Sequence, residues 1–229
     1  MLIKGLQKTT LLDFPQKVAC TVFTGGCNFR CPFCHNASLV KLTDDERIDN
    51  DEFFSFLNKR VNILDGVCIT GGEPLLQKDI FEFIQRIKSL GYAVKLDTNG
   101  AYPNELNSLI SAGLIDYVAM DIKNSRSKYA KTCGVSVNID DIQKSIDLLS
   151  SSGIEYEFRT TVVRELHSTE DIIEIAEWIS AAPKYFLQSF KDSGDILSGG
   201  LSSYSDSEMK EILEKALKLN PHIELRGIS

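Results

Sequence analysis

A surplus of positive charge, a long apolar run, a second pair of close cysteines and a low-complexity linker are all missing from this 229-residue chain. Lys and Arg number 25 against 32 Asp and Glu, a formal net charge of −7, so the basic footprint of a nucleic-acid binder is absent. No apolar stretch approaches the roughly 20 residues that a helix needs to cross a bilayer. The opening Met1-Leu2-Ile3-Lys4-Gly5-Leu6-Gln7-Lys8-Thr9-Thr10 has polar interruptions where a secretory signal carries its apolar core. These absences lead us to expect a cytoplasmic protein that engages neither nucleic acid nor membrane, in a reducing compartment where thiols stay open to metals. No internal repeat is visible, and the length suits a single domain over residues 1–229. Apolar residues at 43% and charged residues at 25% are ordinary for a globular chain with a real core.

Cysteine is scarce as well, six in all, yet three thiols fall within Cys27-Asn28-Phe29-Arg30-Cys31-Pro32-Phe33-Cys34-His35. Clustered thiolates are soft ligands that select zinc, copper(I) or iron–sulfur clusters. Three thiolates do not close a four-iron cluster, which usually takes four, so one iron would keep an open position for chemistry. Other readings remain. A structural zinc could add His35 or a distant cysteine as fourth ligand, although Cys20, Cys68 and Cys133 are scattered and form no second pair. Cys31-Pro32-Phe33-Cys34-His35 matches the C-x-x-C-H pattern of c-type haem attachment, which requires export. A disulfide framework suits shorter secreted chains. Cys20 and Cys68 sit within apolar runs and read as small core residues, while Cys133 falls in a loop with no thiol near it in sequence.

Around that loop, short β-rich runs alternate with helical periodicity. After a lead-in, strands are expected at 18–24, 66–70, 93–98, 117–122, 155–163, 185–190 and 223–226. Helices are expected at 51–60, 79–90, 104–112, 139–151, 169–180 and 206–219, with a polar loop over 124–137. Such alternation indicates an α/β fold with a parallel sheet. Six strand–helix units are too few for a closed eight-stranded barrel, so an open, partial (β/α)6 TIM-like barrel is expected. Its site would lie at the C-terminal ends of the strands. The unusual residues stand there: the cysteine loop, Gly71-Gly72-Glu73-Pro74, Asp97-Thr98-Asn99-Gly100 and Asp121-Ile122-Lys123.

C-x-x-x-C-x-x-C after the first of these strands, with Phe33 before the last cysteine, and Thr70-Gly71-Gly72-Glu73-Pro74 after the second resemble the radical S-adenosylmethionine (SAM) superfamily. Within it, Thr9-Thr10-Leu11-Leu12-Asp13-Phe14-Pro15 running into Ala19–Asn36 looks like the activating proteins of anaerobic ribonucleoside-triphosphate reductase, a branch of the glycyl-radical-enzyme activases. The resemblance implies that Cys27, Cys31 and Cys34 hold a [4Fe–4S] cluster whose fourth iron is chelated by SAM. Reduction would then yield a 5′-deoxyadenosyl radical. It assigns Gly71, Gly72 and Glu73 to the methionyl amine, and Asp97, Thr98 and Asn99 to the ribose and carboxylate. Lys123 and Arg159 fall to the same end of the pocket, and a monovalent cation could sit at Asp97, Thr98, Ala119 and Asp121.

The implied partners are a glycyl radical enzyme, with anaerobic ribonucleotide reductase the expected one, and an electron donor such as reduced flavodoxin. Related formate-lyase activases carry a histidine where this chain has Gln188-Ser189-Phe190, so Gln188 takes no assigned role. His35 and Asn36 would shield the cluster, while His167 and His222 read as surface or packing residues. Two alternatives stay open: a radical SAM enzyme acting on a small molecule or peptide, and a non-catalytic zinc module, which colour alone would distinguish.

Overall fold

The computed structural model describes residues 1–40, 47–192 and 194–228. The first ten residues, for which the pattern predicts no element, contain β1 (Ile3–Thr10), which pairs antiparallel with β2 (Ala19–Thr24). Its ends, Ile3 and Thr10, are buried, but Gln7, Lys8 and Thr9 between them are exposed. A polar, half-exposed strand at the edge of a sheet is normal, and that polarity hides it from a hydrophobic pattern.

The chain forms two compact units. One comprises Met1–Asn28, Ser38–Thr98 and Tyr102–Ala119; the other comprises Phe29–Ala37, Asn99–Ala101 and Met120–Ser229. In the first unit, β2 leads to α1 (Asn50–Asn58), β3 (Gly66–Gly71), α2 (Ile80–Ser89), β4 (Ala93–Thr98), α3 (Pro103–Ser111) and the start of β5 (Tyr117–Asp121). β2, β3 and β4 pair in parallel. Their residues are buried almost throughout, as expected for strands covered on both faces. α2 buries Ile80, Phe83, Ile84 and Ile87 at helical spacing, and Phe83 stacks on Phe53 of α1 with ring centroids 5.3 Å apart. Each such side chain contributes about 1.5–3 kcal/mol when fully buried.

In the second unit, β5 is followed by α4 (Tyr129–Cys133), α5 (Ile139–Ser151), β6 (Glu155–Val162), α6 (Thr169–Trp178), β7 (Tyr185–Ser189), α7 (Asp206–Ala216) and β8 (Ile223–Arg226). The short α4 lies inside the stretch expected to be a polar loop. Only five residues long, it buries Tyr129, Thr132 and Cys133, too few positions to make a visible period. β6, β7 and β8 pair in parallel. Capping boxes at Ser168 and Asp171 and at Ser205 and Glu208 start α6 and α7, each satisfying amide groups that a helix end leaves unpaired. α7 stops at Ala216, three residues before the expected end, and Leu217 to Leu219 form a turn.

The strand order follows the sequence from β1 to β8. A linear order with two ends is an open sheet, and six strand–helix units stand between β1 and β8, in line with the expected fold. No described helix is long and apolar enough to cross a membrane.

Candidate active site

In the first unit the end of β2 carries Thr24, Gly25, Gly26 and Cys27, and the end of β3 carries Gly71, Gly72 and Glu73. The Gly72 amide donates to Thr24 O (2.9 Å), and the Glu73 amide to Gly26 O (2.8 Å). Glycine is required for this approach. A Cβ on Gly72 would lie 1.9 Å from Gly26 O, and one on Gly71, whose φ is +119°, 2.2 Å from Thr24 N. Gly26 and Cys27 are held in turn through amide bonds to Leu39 O (2.7 Å) and Val40 O (3.1 Å). Glu73 is fully buried, and a buried carboxylate is costly without partners. Its Oε1 accepts from the Leu75 amide (3.1 Å) and from Thr98 Oγ1 (2.8 Å). On β4, Lys95 is almost fully buried and pairs with Asp97. Both lie on one face of the strand, two residues apart.

The second unit holds the other two cysteines. Cys31 is buried and Cys34 half-buried, in a turn closed by the Cys34 amide donating to Cys31 O at 3.1 Å. Their thiols differ. A hydrogen bond with Cys133 lowers the Cys31 pKa most, burial opposes it, and Lys123 adds to the lowering, so the thiol is pulled down to about 7. Burial pushes the Cys34 thiol up. Metals bind the thiolate, and Cys31 is the more ready donor. Phe33 is buried and meets His167 edge-on at 6.3 Å. His35 stacks on Phe190 at 5.5 Å, while the Ser198 amide donates to Pro32 O (3.0 Å) and the Ala37 amide to Asp195 O (3.4 Å).

Asp121, Lys123 and Arg159 form one charged group. Asp121 accepts from Lys123 Nζ through Oδ2 and from Arg159 Nε through Oδ1, both at 2.9 Å. Burial works to raise the Asp121 pKa, but Arg159 and then Lys123 outweigh it and hold the carboxyl well below the usual range. Burial likewise opposes the Lys123 charge, yet Asp121 and Cys31 raise its pKa overall. His167 Nε2 donates to Lys123 O at 2.8 Å, and Nδ1 accepts from the Val163 amide at 3.1 Å. The ring is neutral, its pKa lowered by burial. His167 is thus a packing residue, as expected from the sequence, and it fixes the backbone of Lys123. Asn99 is buried, and its Oδ1 accepts from the Ala101 amide (3.0 Å). Gly100, at φ +77°, avoids a Cβ that would lie 2.1 Å from the Met120 methyl.

Among the described residues no three Cys, His, Asp or Glu side chains are gathered as ligands of one metal ion. The donor chemistry nonetheless fits an iron–sulfur centre: all six cysteines are thiols rather than disulfides, and Cys31 favours its thiolate. The glycine arch also fits a ligand that must meet backbone. Thr24 Oγ1 is buried with no hydrogen-bond partner. Buried polar atoms are nearly always bonded, so this hydroxyl, three residues before Cys27, has bonding capacity to offer a bound group. Three residues escaped the sequence. Tyr102 has its pKa raised by burial and then by the charges of Glu73 and Cys27; Thr24 and Cys133 are the others. No motif marks them, because the groups around them are distant in sequence. Gln188 sits on β7 opposite Thr161 and Arg226 and takes no part in these groups. His222 is exposed.

A model of the Radical SAM superfamily matches residues 21–179. The Methanocaldococcus jannaschii protein "Putative glycyl-radical enzyme activating enzyme MJ1227" is 34% identical over 239 residues, covering 100% of this chain and 97% of its own. Streptococcus suis SuiB in its S-adenosylmethionine-bound crystal structure is similar with a TM-score of 0.69 at 18% identity, over 88% of this chain and 48% of SuiB. A domain of pyruvate-formate lyase-activating enzyme from Bacteroides vulgatus gives 0.57 at 18% identity, over 71% of this chain and 99% of that domain. At such identities the two structures speak for the fold alone, and this chain spans about half the length of SuiB.

Proposed function

The chain belongs to the radical SAM superfamily, and on that footing we propose that it activates a glycyl radical enzyme, an anaerobic ribonucleoside-triphosphate reductase. The family's cofactors are a [4Fe–4S] cluster and S-adenosylmethionine, so the zinc, haem and disulfide readings of the cysteine loop fall away. When bound, the pair supplies one-electron cleavage of a sulfonium and with it a carbon radical able to remove hydrogen. The chain's own residues bind and orient. Cys27, Cys31 and Cys34 are the ligands. Glu73, fixed by Leu75 and Thr98, presents a carboxylate to the methionyl amine, and Gly71 and Gly72 allow backbone to meet it. Asp97, Thr98 and Asn99 serve the ribose and carboxylate, and Lys123 and Arg159 bring positive charge to the carboxylate. Phe33, packed on His167, shields the cluster from water. Asp97 already faces Lys95, and Asp121 faces Lys123 and Arg159. The possible monovalent cation at Asp97, Thr98, Ala119 and Asp121 that the resemblance implies is part of the same proposal.

The observation that carries the activase reading is the M. jannaschii relative, matched along the whole chain rather than in a shared core. The reductase as target rests on the run from Thr9 to Pro15 leading into the cysteine loop, and a low-potential one-electron carrier such as reduced flavodoxin completes the scheme. The test is anaerobic. Reconstituted protein, reductant, SAM and the reductase are expected to give a glycyl doublet in electron paramagnetic resonance, absent with Cys31→Ala. Formation of 5′-deoxyadenosine with no doublet on any glycyl radical enzyme would overturn this reading in favour of a small-molecule or peptide substrate.

A further inference from the structure

We propose that Lys95 is a positioning residue for Asp97: its buried ammonium balances the charge of the carboxylate and fixes its orientation, so that Asp97 is a ready acceptor for the ribose hydroxyls of SAM. The inference rests on the reading that sets Asp97 at the ribose, and not on the glycyl-radical target.

The arrangement lies within the first unit, along one face of β3 and β4. Cys68 and Lys95 are register partners on the two strands, and Asp97 stands two residues beyond Lys95 on the same side. Cys68 is fully buried, and only 3% of the Lys95 side chain and 14% of that of Asp97 are exposed. Lys95 Nζ pairs with Asp97 Oδ1 and donates to Cys68 Sγ at 3.7 Å. The Cys68 thiol in turn donates to Asp97 Oδ1 at 3.9 Å. The three side chains close a triangle, and two of its sides end on one carboxylate oxygen. A carboxylate gripped in this way keeps its plane, and Oδ2 points in a set direction.

Packing does not explain the lysine. An ammonium loses its water on burial, and attraction to a buried partner often does no more than offset that loss. Apolar residues fill the neighbouring positions of β4, where Val94 and Leu96 are fully buried. Unlike an apolar side chain, the ammonium leaves Asp97 an acceptor without leaving an unpaired charge inside the fold. Thr98, next along β4 and on its other face, does similar work for Glu73 by donating to Oε1 at 2.8 Å. Both carboxylates that our reading gives to SAM in this unit are thus held by a side chain of β4. Supports of this kind keep binding groups in place before a ligand arrives.

Wild type, Lys95→Met, Lys95→Gln and Asp97→Asn are reconstituted anaerobically and their iron counted. Their affinities for SAM and for 2′,3′-dideoxy-SAM are then measured by equilibrium dialysis. The ratio of the two affinities is the readout, because general damage to the fold weakens both ligands alike. Wild type should prefer SAM by about tenfold to a hundredfold, the range for a hydrogen bond to a charged group. In Lys95→Met and Asp97→Asn the preference should fall to about threefold, what a poorly aligned or neutral hydrogen bond leaves. Lys95→Gln keeps the position polar, which guards against misfolding of the methionine variant, and its ratio should fall between the two limits. If Asp97→Asn loses the preference while either Lys95 variant keeps the wild-type ratio, the proposal is overturned although Asp97 remains at the ribose. If Asp97→Asn itself keeps the ratio, Asp97 is not at the ribose, and that reading fails together with the proposal.

Discussion

Gly72 has no room for a side chain, and the consequence can be measured. Its Cβ would meet Gly26 O at 1.9 Å, and that oxygen is backbone, already bound to the Glu73 amide. Gly72→Ala must therefore push the β2 and β3 loops apart, at a cost of about 1–3 kcal/mol, the usual range for overpacking. Gly153 is the control. It has a positive φ (+73°), which Gly72 does not, and nothing lies within 4 Å of its Cβ position. Gly153→Ala should cost only the left-handed backbone penalty, about 1–2 kcal/mol. Thermal unfolding would show losses of similar size, whereas SAM binding, measured by equilibrium dialysis on the reconstituted protein, should fail in Gly72→Ala alone. Equal binding by the two variants would remove Gly72 from the site. That glycine was legible in the sequence because Gly-Gly-Glu after a strand is a recognisable pattern. Thr24 and Tyr102 were not: a hydroxyl in an apolar strand and a tyrosine at a helix start become informative only when β2, β3 and β4 are side by side.

At the scale of elements, hydrophobic period sufficed wherever packing and propensity agree. α2 and α5 were visible because Ile80, Phe83, Ile84 and Ile87, and Ile142, Ile146 and Leu149, are the buried stripes. β1 and α4 were hidden, one by its polar edge and the other by its five-residue length. The connections between elements escaped as well, and His167 is one of them, joining the segment after β6 to Lys123. Its neutral ring makes a pH prediction. Burial lowers its pKa below the ordinary value of about 6.5. Between 6.5 and the lower folded value, the unfolded chain binds a proton that the folded chain refuses. Stability therefore falls as pH drops through that window. The urea midpoint of wild type should decline between pH 7 and pH 5.5, and His167→Gln, although less stable at pH 7, should decline less. The Asp121 carboxyl, held well below the usual range, titrates in more acidic solution and does not confound the measurement. Parallel curves for the two proteins would show that the ring is not held neutral.

For the molecule as a whole, family and cofactors were readable because Cys27, Cys31, Cys34 and Glu73 carry chemistry that few other folds need at those spacings. The target rests on less, the run from Thr9 to Pro15 ahead of the cysteine loop, since docking depends on a surface that no motif describes. A ligand that binds only the folded, loaded state stabilises it by about 2.7 kcal/mol at a hundredfold excess over Kd. For a chain of this size that raises Tm by about 5–10 °C. SAM should produce such a shift in the cluster-loaded wild type under anaerobic conditions. In the apo-protein and in Cys31→Ala the shift should be much smaller, because the open iron that anchors the ligand in our proposal would be gone. Loaded Glu73→Gln should fall between these limits: it keeps the iron but loses the carboxylate that our proposal sets opposite the methionyl amine, and a hydrogen bond to a charged group is worth about 1.5–3 kcal/mol. Differential scanning calorimetry separates the cases. If the apo-protein shifts as far as the loaded one, SAM docks without iron, and the cysteine loop cannot be its anchor. If Glu73→Gln matches wild type, the amine lies elsewhere, and the glycine arch must be explained by the packing of β2 on β3 alone.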